Sequence, residues 1–163
     1  MTNSTVSTGN KEKRLFWGGK SGPQSLCMLE IIAILWYYQL VRIFKYARFS
    51  RFARKEGIND DELLNIVEQL EEGQADADLG GGVFKMRIAR SGEGKSGGYR
   101  VIVFFKSGER TFYVHGFAKS DTANISKKEL VRAKRQAKTL FAMTDTHIQT
   151  ALNERVFEEI RRD

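Results

Sequence analysis

Three strand-like runs crowd into residues 83–118, and the way they are joined fixes the kind of sheet they make. Val83–Arg90 alternates, with Phe84, Met86 and Ile88 on one face and Lys85 and Arg87 on the other, as side chains do along a strand. Tyr99–Lys106 and Thr111–Ala118 are rich in β-branched and aromatic residues, which suit a pleated, half-buried surface. Lys106-Ser107-Gly108-Glu109-Arg110 between them has turn chemistry, so the pair predicts a hairpin. The glycine-rich stretch before Tyr99 predicts a second, flexible hairpin loop.

Helical signals flank these runs. Val41–Lys45 alternates well enough for a short strand. Ala47–Glu56 then places Phe49, Phe52 and Ala53 at i, i+3 and i+4 and stops at Gly57. Asn59 caps a second helix with Glu62 three residues on, carrying Leu63, Ile66, Val67 and Leu70 inward as far as Gly73. After the strands, Ser126 heads a capping box with Glu129, and Leu130, Ala133, Ala137 and Leu140 face inward. Residues 144–160 predict a further short helix and a tail. The expected order is β-α-α-β-β-β-α: an α+β domain in which a helix pair packs on a small, mostly antiparallel sheet, with a helix toward the C-terminus.

The chain has 163 residues, enough for one domain with a tail. Residues 1–25 are polar, show no periodicity and predict disorder. The apolar run Leu26–Leu40 is interrupted by Glu30 and its uncharged part falls short of the roughly 20 residues a spanning helix needs. No small-residue cleavage site follows it, which argues against a signal peptide. Residues 1–40 are therefore expected to lie outside the functional domain, as an extension or as a translation start placed too early, the natural one falling near Met28 or Val41. The domain itself is expected over 41–163. One cysteine (Cys27) and two histidines (His115, His147) exclude an intrachain disulfide framework and a Cys/His zinc module. A cytoplasmic protein without metal or other cofactor, and without stable membrane association, is the expectation.

Charge is segregated. Residues 56–78 carry nine acids and no Lys or Arg, whereas residues 85–138 carry fourteen Lys or Arg against four acids, or +10. The remainder is −3, which recovers the net +7 of 27 basic and 20 acidic residues. One basic face and one acidic helix follow, and nucleic-acid phosphate is the natural ligand of such a face. A solvated basic surface without a partner is the bland alternative.

Two motif matches fail on context. Gly92-Glu93-Gly94-Lys95-Ser96-Gly97 fits GxGxxG, but a dinucleotide site needs a helix next and a strand follows here. Gly94-Lys95-Ser96 mimics the end of a Walker A loop whose first glycine would fall on Ala89. His115 shares its strand with Tyr113 and Phe117, expected on the same face, and a histidine there could act as a base or serve structure. No Ser/His/Asp or Cys/His set is readable. What remains is a group of strand cations: Lys85 and Arg87 share a face, Arg100 begins the adjacent strand, and Lys119 follows the last one. Several cations around one phosphate can stabilise a phosphoryl-transfer transition state; an exposed sheet face also needs polar residues. Both readings fit the pattern.

At these residues the chain resembles a known family. Gly80-Gly81-Gly82-Val83-Phe84-Lys85-Met86-Arg87-Ile88-Ala89, then Gly94-Lys95-Ser96-Gly97-Gly98-Tyr99-Arg100, then Gly116-Phe117-Ala118-Lys119-Ser120 is similar to the RelE/HigB-type toxins of type II toxin–antitoxin systems. The resemblance spans roughly Val41 to Ile160 and includes Phe49-Ser50-Arg51-Phe52-Ala53-Arg54-Lys55-Glu56-Gly57 and Ala75-Asp76-Ala77-Asp78-Leu79. It implies a RelE-like fold and a metal-independent endoribonuclease that cuts mRNA on the ribosome. It also implies a cognate antitoxin, expected as a small helix-turn-helix protein.

In the implied reaction the RNA 2′-hydroxyl attacks the adjacent phosphate. Carried over by position, Lys85, Arg87, Arg100 and Lys119 are the catalytic candidates, with Arg100 on the scissile phosphate and Lys85 or Arg87 in proton transfer and charge stabilisation. A lysine base would need its pKa depressed by neighbouring cations. Lys95, Arg90 and Lys106 are candidates for the RNA backbone. Some members carry a tyrosine or histidine near the C-terminus; here no aromatic follows Lys119 until Phe141, which leaves Tyr113 or His115 as substitutes for the acid. A ParE-like gyrase poison and a simple RNA-binding module are the alternatives.

Overall fold

The computed structural model describes residues 28–33, 41–89, 98–118 and 125–161. The expectations for residues 1–25, for the glycine loop, and for Arg90, Lys95 and Lys119 lie outside the described residues. Residues 28–33 form a short helical stretch on which Met28 and Leu29 are exposed.

From residue 43 onward the chain runs β1 (Ile43–Tyr46), α1 (Ala47–Glu56), α2 (Asp60–Glu71), β2 (Ala77–Asp78), β3 (Val83–Ile88), β4 (Tyr99–Phe104), β5 (Thr111–Ala118), α3 (Lys127–Phe141), α4 (Asp145–Asn153) and β6 (Phe157–Ile160). The strands form one sheet in the order β2-β3-β4-β5-β1-β6. Every pairing is antiparallel except β1 on β5, which is parallel. Parallel neighbours need a long crossover, and helices and strands from α1 to β4 supply it.

Local chemistry sets the helix ends. Gly57 takes φ +72, and its N–H returns to the Ala53 carbonyl, closing α1 as a left-handed glycine does. At α2, Asn59 Oδ1 accepts from the Glu62 N–H at 2.8 Å, and Glu62 Oε2 accepts from the Asn59 N–H at 2.9 Å. Asp60, Asp61 and Glu62 fill the first turn, where the helix dipole favours negative charge. Ser126 and Glu129 make the same reciprocal box at α3.

The two faces of the sheet bury different cores. On one face, α1 and α2 bring Phe49, Ala53, Leu63, Ile66, Val67 and Leu70 against Met86, Ile88, Tyr99, Val101, Val103 and Tyr113. On the other, Ala133, Ala137 and Leu140 of α3 and Ile148 and Ala151 of α4 cover Phe44, Val83, Ile102, Phe104, Phe112 and Phe157. Burial on both faces explains why β4 reads as a continuous apolar run rather than an alternating one.

The C-terminal tail expected from sequence is corrected: after α4 the chain forms β6, which pairs with β1 from Ile43↔Ile160 to Tyr46↔Phe157. Phe157-Glu158-Glu159-Ile160 lacks strand alternation, and its two acids are satisfied by tertiary ion pairs. Glu159 Oε1 accepts from Arg42 Nε at 2.6 Å, and Glu158 lies 3.4 Å from Arg54 Nη2.

Candidate RNA-binding and catalytic face

The register of the central strands brings the strand cations together. Arg87 of β3 is the partner of Arg100 on β4, which is in turn the partner of Phe117 on β5. One step along the same face, Lys85 pairs with Ile102 and Ile102 with His115. Opposed residues in antiparallel strands stand about 4.5–5.5 Å apart between Cα atoms, and i and i+2 about 7 Å. Lys85, Arg87 and Arg100 therefore share one small area of sheet. Helix α3 covers this face farther along, over Val83, Phe104 and Phe112.

Arg87 is 58% exposed at its side chain, with Nε 3.4 Å from Asp76 Oδ1. Such an exposed pair is worth little in water, so phosphate can compete for the guanidinium. Among the described residues no carboxylate lies within ion-pair distance of Lys85 or Arg100. The charge of both remains available to an anion.

A β-bulge decides which β5 side chains join them. Val103 opposes Tyr113, but Ile102 opposes His115, so Val114 is the extra residue. An added residue shifts the face of everything beyond it. The expectation that Tyr113 and His115 share a face is therefore corrected. Tyr113 is fully buried on the α1–α2 side, stacked on Phe49 at 5.2 Å between ring centroids, and its hydroxyl donates to the Leu63 carbonyl. Burial pushes its phenol well above the usual 10.0, and it is no substitute for the acid.

His115 and Phe117 turn to the cation side, their rings 5.8 Å apart. They line a groove of about 530 Å³ between the sheet and α3, with Arg48, Glu129, Arg132 and Gln136 around it. Burial, and next the charge of Arg48, lower the His115 pKa from 6.5, while Glu129 opposes them. The imidazole is therefore neutral at pH 7.

Lys106, expected to contact the RNA backbone, stands apart from the cation row. It follows β4, about 20 Å along the strand from Arg100, and is ion-paired to Glu109 within the turn. The exposed cations of α3, among them Lys127, Lys128, Arg132, Arg135 and Lys138, give the α3 side a basic surface that α2, with its acids, does not share. Among the described residues no group of three or more His, Cys, Asp or Glu is placed to hold a metal ion, and no helix is long and apolar enough to cross a membrane.

The model of a protein family described as the RelE toxin of the RelE/RelB toxin–antitoxin system matches residues 41–160. The chain belongs to the RelE toxin family. The match takes in helices α1 to α4 and every strand of the sheet. A search of curated proteins finds no significant match. A RelE toxin acts within a toxin–antitoxin system and pairs with an antitoxin, and toxins of the family are generally RNases.

Sequence reasoning missed Arg48, Glu129, Arg132 and Gln136 as neighbours of His115. All four stand on helices, where their pattern reads as ordinary solvent-facing polarity. Only the tertiary placement of α1 and α3 over β5 brings them to one groove.

Proposed function

We propose that this RelE toxin is an endoribonuclease that cuts mRNA on the ribosome and so stops translation. The observation that carries the reading is the convergence of Lys85, Arg87 and Arg100 on one open face, two of them free of carboxylate partners among the described residues. RNA cleavage by its own 2′-hydroxyl asks for little else. The 2′-oxygen loses its proton and bonds to the adjacent phosphorus; the P–O5′ bond breaks, and the leaving 5′-oxygen takes up a proton. The products are a 2′,3′-cyclic phosphate and a 5′-hydroxyl. Negative charge builds on the phosphoryl oxygens between these events, and preorganised cations stabilise it there.

In this reading Arg100 holds the scissile phosphate, with its planar fork of donors suited to two phosphate oxygens. Lys85 and Arg87 serve proton transfer and charge stabilisation, and Lys119 belongs to the same set by its place after β5. The antitoxin neutralises the toxin by covering or deforming this face. Ribosome dependence is part of this reading: a scaffold that presents mRNA in one orientation supplies the positioning that cleavage needs.

Primer extension on a defined mRNA, with the full chain in excess and with or without ribosomes, tests the proposal. Cuts that need ribosomes and disappear when the nucleotide 5′ of the cut is 2′-deoxy are expected. Intact mRNA with the wild-type protein overturns the nuclease reading and turns attention to gyrase poisoning or simple RNA binding.

A further inference from the structure

The groove between β5 and α3 has features that phosphate binding alone does not require. Its floor includes Phe117 and Ile102, whereas Arg48, Arg132, Gln136 and Glu129 stand around it. Its volume of about 530 Å³ falls within the range of small-ligand sites, about 300–1,000 Å³. Phe117 is the strand partner of Arg100, so the groove opens directly beside the cation row.

Glu129 gives the groove a directional element. Its Oε2 accepts from the Ser126 N–H at 2.9 Å and from the Ser126 hydroxyl at 2.6 Å. Both bonds land on one oxygen and fix the carboxylate, while among the described residues no donor reaches Oε1. These bonds hold the carboxyl below the usual range, so it is an acceptor at neutral pH. A fixed carboxylate repels phosphate and attracts a donor. Neutral His115 beside Phe117 likewise suits a flat ring better than an anion.

We infer that this groove is a nucleotide subsite, taking one RNA nucleotide with its base on Phe117 and an exocyclic amino group donating to Glu129. The inference rests on the RNA reading above and deepens it. Base–aromatic stacking supplies affinity for any base; Glu129 selects bases that present an amino group. With the base so placed, the attached phosphate falls on the Arg100 side of Phe117, away from the carboxylate. Cytosine and uracil make a matched test, because they differ at position 4 by an amino group against a carbonyl.

Substitution at Glu129 can be made without breaking the helix cap, since glutamine also serves at the third position of a capping box. In Glu129→Gln the amide oxygen takes the Ser126 bonds and the NH₂ faces the groove, which reverses donor and acceptor.

The test is an NMR titration of the full chain with CMP and with UMP, following the His115 ring signals. CMP is expected to shift those signals and to bind about tenfold more tightly than UMP, the discrimination one good base-edge contact gives. In Glu129→Gln the order is expected to reverse. Equal binding of CMP and UMP by the wild type, absence of binding by both, or binding without a shift at His115 would each overturn the subsite. The titration needs neither ribosome nor cleavage, so failure of the nuclease proposal and failure of the subsite are read separately.

Discussion

The hydroxyl of Tyr113 donates to the main-chain carbonyl of Leu63, joining the central strand β5 to helix α2 through the core. Fifty residues separate the two in sequence. The bond anchors the helix pair to the sheet and holds the strand segment from which the bulge sends His115 to the other face.

Tyr113→Phe keeps the ring and its stacking on Phe49 but leaves the Leu63 carbonyl without this donor. A loss of about 1–3 kcal/mol is expected in denaturant unfolding, with RNA cleavage per folded molecule unchanged. The pH dependence has a definite sign. The folded-state phenol pKa is raised above 10.0, so its contribution is intact below pH 10 and is lost as pH rises from there toward the folded value. The phenylalanine variant should lose less stability than the wild type on going from pH 9 to pH 11.

Gly116 is held to glycine by a neighbour. A Cβ there would lie 2.2 Å from Phe52 Cε1, and Phe52 is fixed edge-on to Tyr99 at 5.7 Å. Gly116→Ala should cost about 1–3 kcal/mol by overpacking. Adding Phe52→Leu should restore part of that loss, a non-additivity that a double-mutant cycle in urea measures directly.

His115 should titrate below 6.5 when its ring signals are followed by NMR, because burial first and Arg48 second disfavour its charged form. The unfolded chain then takes up the proton more readily, so this histidine makes stability fall as pH drops through about 6.5 toward its folded value. Arg48→Ala should raise the midpoint, and Glu129→Gln should lower it, since Glu129 is the opposing influence.

Arg42 grips Glu159 at two points, Nε to Oε1 at 2.6 Å and Nη2 to Oε2 at 3.0 Å. The pair is mostly shielded and pins β6 beside β1. Glu159→Ala should cost about 1.5–3 kcal/mol, the range for hydrogen bonds to a charged group, and amide exchange should accelerate in β6 before the rest of the sheet.

These residues also mark how far the sequence alone could be read. Helices α1, α2 and α3 with their glycine stop and capping boxes, and the antiparallel run of β3, β4 and β5, follow from local periodicity and cap chemistry. Lys85, Arg87 and Arg100 were visible as candidates because alternation on β3 and the start of β4 place them without knowledge of the rest. The bulge at Val114 was not visible: nothing in Thr111–Ala118 distinguishes an inserted residue from regular alternation, and one residue moves Tyr113 and His115 to opposite faces. β6 was hidden because its acids pair with Arg42 and Arg54, more than a hundred residues away. The groove needed both α1 and α3 in place.

The central claim is that the face carrying Lys85, Arg87 and Arg100 cuts RNA. Its most direct test compares the wild-type chain with Lys85→Ala/Arg100→Ala in a ribosome-containing cleavage reaction, with circular dichroism and thermal unfolding to establish that both are folded. The account predicts that the double variant folds and that its single-turnover cleavage rate falls at least about 10²–10³-fold, the cost of removing one preorganised charge-stabilising group. A folded double variant that cuts at the wild-type rate would contradict it.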